Sequence, residues 1–156
     1  MLALQHISAT PARMHFATLT AALEERYGAN ARELETGHWA FEVLTGDQRS
    51  QVVHFLLRET SAEGRDVSRI VVSSPIGVVP ARFDAEALLR RNATLDVGAV
   101  CIEDLRGESG DTSAYLTLRG SHLVSTADFE EVWEMVEKVA RVADALEKEI
   151  YARDLF

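Results

Sequence analysis

The chain has little cysteine, little lysine and no long apolar run. Its one cysteine is Cys101, and a single thiol can neither close a disulfide within a monomer nor build a zinc ribbon. No apolar stretch approaches the roughly 20 residues of a membrane-spanning helix. The opening MLALQHISATPARMHF lacks the basic region and long apolar core of a secretory signal. These absences predict a cytoplasmic protein with no membrane segment.

Motifs that fix a reaction are also missing. There is no GxGxxG, GxxxxGK[ST], GxSxG or HExxH. His6, His15, His38, His54 and His122 never recur at helical ligand spacing, so no metal is expected. His54 alternates with apolar neighbours, as on a half-buried strand. Adjacent acids such as Glu24–Glu25 and Glu130–Glu131 do not face one another on a helix. The serines of VSSPIG, 72–77, have no activating neighbour and read as a strand end before a proline turn. Cys101 lies between Val100 and Ile102 and precedes Glu103 and Asp104, whereas a reactive thiolate needs an exposed, electropositive setting. It reads as a core or interface residue. The expectation is a non-enzymatic protein with no catalytic residue and no cofactor; a cysteine enzyme pairing Cys101 with a histidine stands as an alternative.

Sixteen basic residues, all arginine except Lys138 and Lys148, face 25 acidic ones, for a formal charge of −9. Nonspecific duplex binding needs basic patches, so direct nucleic-acid binding is not expected. A basic protein partner fits the charge, although acidity also serves solubility.

What is present reads as one domain over 1–156. The length suits one domain, and the 47% apolar content is ordinary for a globular chain. Thr10-Pro11 starts a helix over 11–27, with Phe16, Leu19, Leu23 and Tyr27 on one stripe and Gly28 at its end. HWAFEVLT, 38–45, and SQVVHFLLRET, 50–60, alternate like strands around a GDQ turn and form a hairpin. VSRIVVSS, 67–74, is a third strand, closed by Pro75 and Gly77. FDAEALLRR, 83–91, is a short helix with Asp84 at its start. Strands at 97–105 and 112–120 flank the polar turn 106–111. Ser125 and Asp128 resemble a capping pair for a helix over 126–151. Its stripe comprises Phe129, Val132, Trp133, Val136, Ala140, Ala143 and Ile150. Glu130, Glu131, Glu134, Glu137, Asp144 and Glu147 form its acidic, solvated face.

The expected fold is therefore α+β, in the order α-β-β-β-α-β-β-α. It has a five-stranded, mainly antiparallel sheet with the two longer helices packed on it. The hairpin 38–58 carries large apolar residues on both faces: Trp39, Phe41 and Phe55 against Leu44, Val52 and Leu56. Helices cover one face; an uncovered apolar face marks a partner or oligomer interface.

This order, the chain length, the acidity and the pattern LLRRN before a strand, a polar hairpin and a long final helix resemble one known fold. It is the fold of type III secretion chaperones and the YbjN-like proteins. In these families a leucine-rich element with an asparagine precedes a strand, here Leu88, Leu89 and Asn92. The resemblance implies a small, acidic, cytosolic homodimer without enzymatic activity that binds an extended partner segment along apolar patches. In secretion chaperones this region helps build the dimer. Leu88, Arg90, Arg91, Leu95 and Cys101 are therefore candidate dimer or partner contacts, together with Trp39, Phe41 and Phe55 of the hairpin. The expected function is a chaperone-like or adaptor protein that binds a partner, such as a basic nucleic-acid-binding protein in a stress or repair setting. A small-molecule-binding regulator and a type III secretion chaperone proper are the alternatives.

Overall fold

In the computed structural model, which describes residues 10–46, 48–62, 65–106 and 110–151, the N-cap of the first helix is the one its sequence requires. Thr10 Oγ1 accepts a hydrogen bond from the Arg13 backbone N–H at 3.3 Å, and Pro11 begins α1, Pro11–Tyr27. Three antiparallel strands follow as a meander: β1 (Ala31–Glu35), β2 (His38–Gly46) and β3 (Arg49–Ala62). Asp47, from the expected GDQ turn, lies outside the described residues. β4, Arg65–Val78, returns beside β3. After α2, Ala85–Asn92, come β5 (Ala99–Arg106) and β6 (Thr112–Leu123), and then α3 (Phe129–Tyr151).

The α+β class holds, but the sheet has six strands rather than five, in the order β1-β2-β3-β4-β6-β5. All neighbours are antiparallel. The unforeseen strand is β1. Its sequence, ARELE, has four exposed residues of five, so it carries no apolar alternation for a pattern to detect; it is a short, charged edge strand. The element order is thus helix, four strands, helix, two strands, helix.

Two boundaries also moved. Pro75 does not end the third expected strand. The strand runs on to Val78, with a register shift between Pro75 and Gly77 that accommodates the missing N–H. The final helix begins at Phe129, not near 126, because Asp128 is its cap. Asp128 Oδ1 accepts from the Glu131 N–H at 2.9 Å, while Ser125 sits in a separate 3-10 turn.

α1 and α3 pack on the same face of the sheet. The core beneath them gathers Phe16, Leu19 and Leu23 from α1, Phe41, Val53, Phe55, Ile70, Val72 and Leu118 from the strands, and Val132, Val136, Val139 and Ala140 from α3. At one end of this core the expected acidic face of α3 is interrupted. Asp144 is buried and held by Arg49 Nε at 2.6 Å and Lys148 Nζ at 2.9 Å. Burial alone raises its pKa, but hydrogen bonds from Lys148 and Arg49 outweigh that and keep the carboxyl below its ordinary value. Arg49 and Gln51 also donate to Glu147 Oε2, at 3.2 and 2.7 Å, and Ser74 donates to Gln51 Oε1 at 3.1 Å. This chain of polar contacts ties the start of β3 to the last turns of α3.

Candidate functional site

Between α1 and the β1–β3 corner runs an open groove of about 480 Å³. Its floor is apolar. Phe16 is buried there, with its ring stacked 5.1 Å from that of Phe55, and the half-buried Trp39 and Leu57 extend the floor outward. Trp39 comes near the start of β2 and shares the helix-covered face with Phe41, their rings 6.3 Å apart. It stays half open because the groove runs along it.

The groove's charged lining is mainly acidic: Glu24, Glu33 and Glu59 stand against the single cation Arg13. Arg13 is engaged with Glu59, through Nε at 3.1 Å and Nη2 at 2.6 Å, and these hydrogen bonds hold the Glu59 pKa below the usual range. Arg26, next along α1, lies over the Trp133 ring at 4.3 Å. Glu24 and Glu33 have no ion-pair partner among the described residues. The sequence marked Trp39; it did not show that unpaired carboxylates from α1 and β1 would flank it, because β1 itself was not legible.

The other candidate residues divide between the core and one corner. Phe41 and Phe55 are fully buried under the helices and hold the fold together. Leu88 and Leu95 are half-buried against the core, while their neighbour Leu89 is 69% exposed. Arg90 pairs with Glu86 at 2.6 Å in the open. Arg91 reaches Thr94 at 2.9 Å and Glu149 of α3 at 3.6 Å. The Cys101 thiol donates to the Thr117 carbonyl at 3.4 Å. Burial and the nearby Glu103 carboxylate push its pKa up, the opposite of the setting that activates a nucleophile.

Asn92 proves more specific than a helix end. Its Nδ2 donates to the Val100 carbonyl at 3.1 Å, and its Oδ1 accepts from the Val100 N–H at 2.8 Å. One side-chain amide thus occupies both backbone groups of Val100 on the open edge of β5, a local block to strand pairing.

Sequence spacing also missed a histidine pair. His38 and His54 lie diagonally across β2 and β3, on the sheet face away from the helices, and share a hydrogen bond of 2.9 Å between Nε2 and Nδ1. Only the strand register brings them together. Burial, reinforced by His38 and Arg32, holds the His54 pKa below its ordinary 6.5. The unfolded chain therefore binds a proton near 6.5 that the folded chain resists. This contribution to stability is complete above that pH and is lost as the pH falls toward the lower folded value. Urea midpoints are expected to drop between about pH 7.5 and about pH 5.5, with a shallower drop in His54→Gln. An equal drop in both proteins would remove His54 as the cause.

Among the described residues no group of three or more His, Cys, Asp or Glu is arranged to hold a metal ion. No described helix is long and apolar enough to cross a membrane. The fold and the groove together describe an open-faced α+β protein with an acidic, apolar-floored cleft. No family model matches the chain, and no curated protein matches it.

Proposed function

We propose that this protein is a non-enzymatic, cytoplasmic, chaperone-like adaptor that holds a basic, apolar-bearing segment of a partner protein in the groove between α1 and the β1–β3 corner. One observation carries the reading. The half-open Trp39 lies in a groove rimmed by Glu24 and Glu33, neither of which has a cation of its own. An amphipathic segment laid there would bury leucine-like side chains on Phe16, Trp39 and Leu57 and bring lysine or arginine to the two carboxylates. A nucleic-acid-binding protein of the stress or repair machinery has the required basic character. The element order supports kinship with YbjN-like proteins and type III secretion chaperones, with β1 as an added edge strand. A type III secretion chaperone proper is the narrower form of the same reading.

The binding test uses a labelled amphipathic peptide of arginine and leucine, followed by fluorescence anisotropy. Trp39→Ala is expected to weaken binding by at least about tenfold, as loss of a central aromatic anchor does. Glu24→Lys with Glu33→Lys should do the same and flatten the salt dependence. Equal affinity in all three proteins would sink the proposal.

The adaptor is a homodimer in this reading, joined at the corner of α2 and β5. There Leu89 and Ile102 are 69% and 53% exposed beside an edge strand. Arg90 is the cleaner probe of that corner, since Arg91 also touches α3 through Glu149. Arg90→Glu should raise the dimer dissociation constant roughly tenfold by sedimentation and leave the melting temperature almost unchanged. An unaltered dimer constant would move the interface elsewhere.

A second reading, a small-molecule-binding regulator, is favoured by a separate cleft of about 430 Å³ between α2 and the end of α3. Leu116, Leu146 and Ile150 line it beside Arg82 and Arg91. A metabolite that raises the melting temperature of the wild type but not of Arg82→Ala would support that reading.

A further inference from the structure

The helices cover one face of the sheet, and the opposite face differs from the rest of the molecule in its charge. On a chain whose formal charge is −9, this face presents Arg32, Arg58, Arg69 and Arg119 against Glu35, Glu42 and Glu103. The placement follows from register. Ala40, paired with Arg32, and Val71, Ser73 and Ser121, which lie between the other arginines, share the face that Phe41, Val72 and Leu118 turn away from.

The carboxylates on this face are already engaged. Glu103 pairs with Arg119, Glu35 lies 3.5 Å from His38, and Glu42 accepts from Ser50 at 2.7 Å. Arg58 and Arg69 stand directly opposite one another across β3 and β4. Both are exposed, and neither has an ion-pair partner among the described residues. Like charges placed opposite in a sheet destabilise it. A chain rich in carboxylates leaves this pair unmatched.

We propose that the uncovered sheet face is a second docking surface, for an acidic, leucine-bearing segment of a partner protein, with Arg58 and Arg69 as its anion-binding pair. The neighbours of the pair are aliphatic. Leu56 and Val71 form the next cross-strand row, Leu123 pairs with Arg69, and Val52 and the 71% exposed Leu44 continue the apolar surface toward the β2–β3 turn. Carboxylates of the segment would bridge the guanidiniums, which suit planar, bidentate recognition, while its leucines cover Leu56 and Leu123.

Two other occupants fit less well. Single-stranded nucleic acid held on a sheet needs aromatic platforms for its bases, and the rows around Arg58 and Arg69 are aliphatic. A second copy laid face to face would bring a second set of unmatched arginines and no free carboxylate. Acidic on the groove side and basic on the sheet side, the adaptor could hold two segments of opposite charge at once. This surface is independent of the α1 groove.

Arg58→Glu tests the proposal in the full chain. It converts the like-charge pair into an opposite-charge pair, so the melting temperature should rise. Affinity for a labelled amphipathic peptide of glutamate and leucine, read by anisotropy at low salt, should fall at least about tenfold. A glutamine–leucine version of the peptide should bind the wild type as weakly as the glutamate peptide binds the variant. The arginine–leucine peptide should bind both proteins equally, because its groove is untouched; its failure would count against the groove alone. Undiminished binding of the glutamate peptide by Arg58→Glu would overturn the proposal, as would its failure to bind the wild type. Tighter binding of a charge-matched oligothymidylate would overturn it in favour of nucleic acid.

Discussion

Phe55→Ala is expected to lower the free energy of unfolding by about 3–5 kcal/mol. Phe55 sits mid-strand in β3, fully buried, where α1 and the sheet meet. Its ring stacks on Phe16 at 5.1 Å and meets the edge of Phe41 at 6.0 Å, and its backbone partners are Trp39 and Val72. Truncation removes the apolar transfer energy of the ring and leaves a cavity that three rigid elements cannot collapse to fill. Urea unfolding monitored by circular dichroism measures the loss. Leu44→Ala, on the open face of the neighbouring strand, is the control and should change stability by no more than about 0.5 kcal/mol. If the two variants behaved alike, the assignment of sheet faces would be wrong.

Gly98→Ala should cost about 2–4 kcal/mol, the sum of backbone strain and overpacking. Gly98 leads into β5 at φ +60°, and an added Cβ would collide with the carbonyl of Arg119 in β6. That carbonyl belongs to the paired backbone and cannot swing aside as a side-chain tip can. Gly28 separates the two contributions. Its φ is +56°, nearly the same, but an added Cβ would meet nothing within 4 Å. Gly28→Ala therefore carries only the left-handed strain, about 1–2 kcal/mol. A Gly98 variant no worse than the Gly28 variant would mean that β5 and β6 lie farther apart. Hydrogen exchange should place the additional damage in β5, whose start pairs Ala99 with Arg119.

These two sites show what the sequence could and could not convey. α1 was legible to the residue, because Thr10-Pro11 and Gly28 bracket its stripe. The pairing of β2 with β3 was legible because Trp39, Phe41, Val53 and Phe55 alternate with smaller or polar residues. β1 was hidden: an edge strand buries little, so Arg32, Glu33 and Glu35 are tolerated there and erase the pattern. Asp144 was assigned to solvent because a carboxylate usually belongs there; only the approach of Arg49 from β3 makes its burial tolerable. The candidate site was half legible. Trp39 stood out as a large residue near a strand end, but Glu24 and Glu33 join it only through the packing of α1 on an edge strand. Likewise, Arg58 and Arg69 become a pair only through a register set by the hairpin between them.

The region around LLRRN followed the same course. As expected, it joins a short helix to a strand, but the joint has a specific construction. Asn92 reaches across and closes the backbone of Val100, while Leu89 and Ile102 remain exposed on either side. Strand addition is thereby blocked at the first turn of the β5 edge, and the remaining apolar corner is open to a second copy.

The central claim is that a basic segment binds along α1, and hydrogen–deuterium exchange of the full chain with and without saturating arginine–leucine peptide tests it most directly. Binding in the groove predicts added protection in Phe16–Glu24 and in Glu33–Trp39, with β5 and β6 unchanged. Protection confined to β4, β5 and β6, or no added protection at saturation, would contradict it.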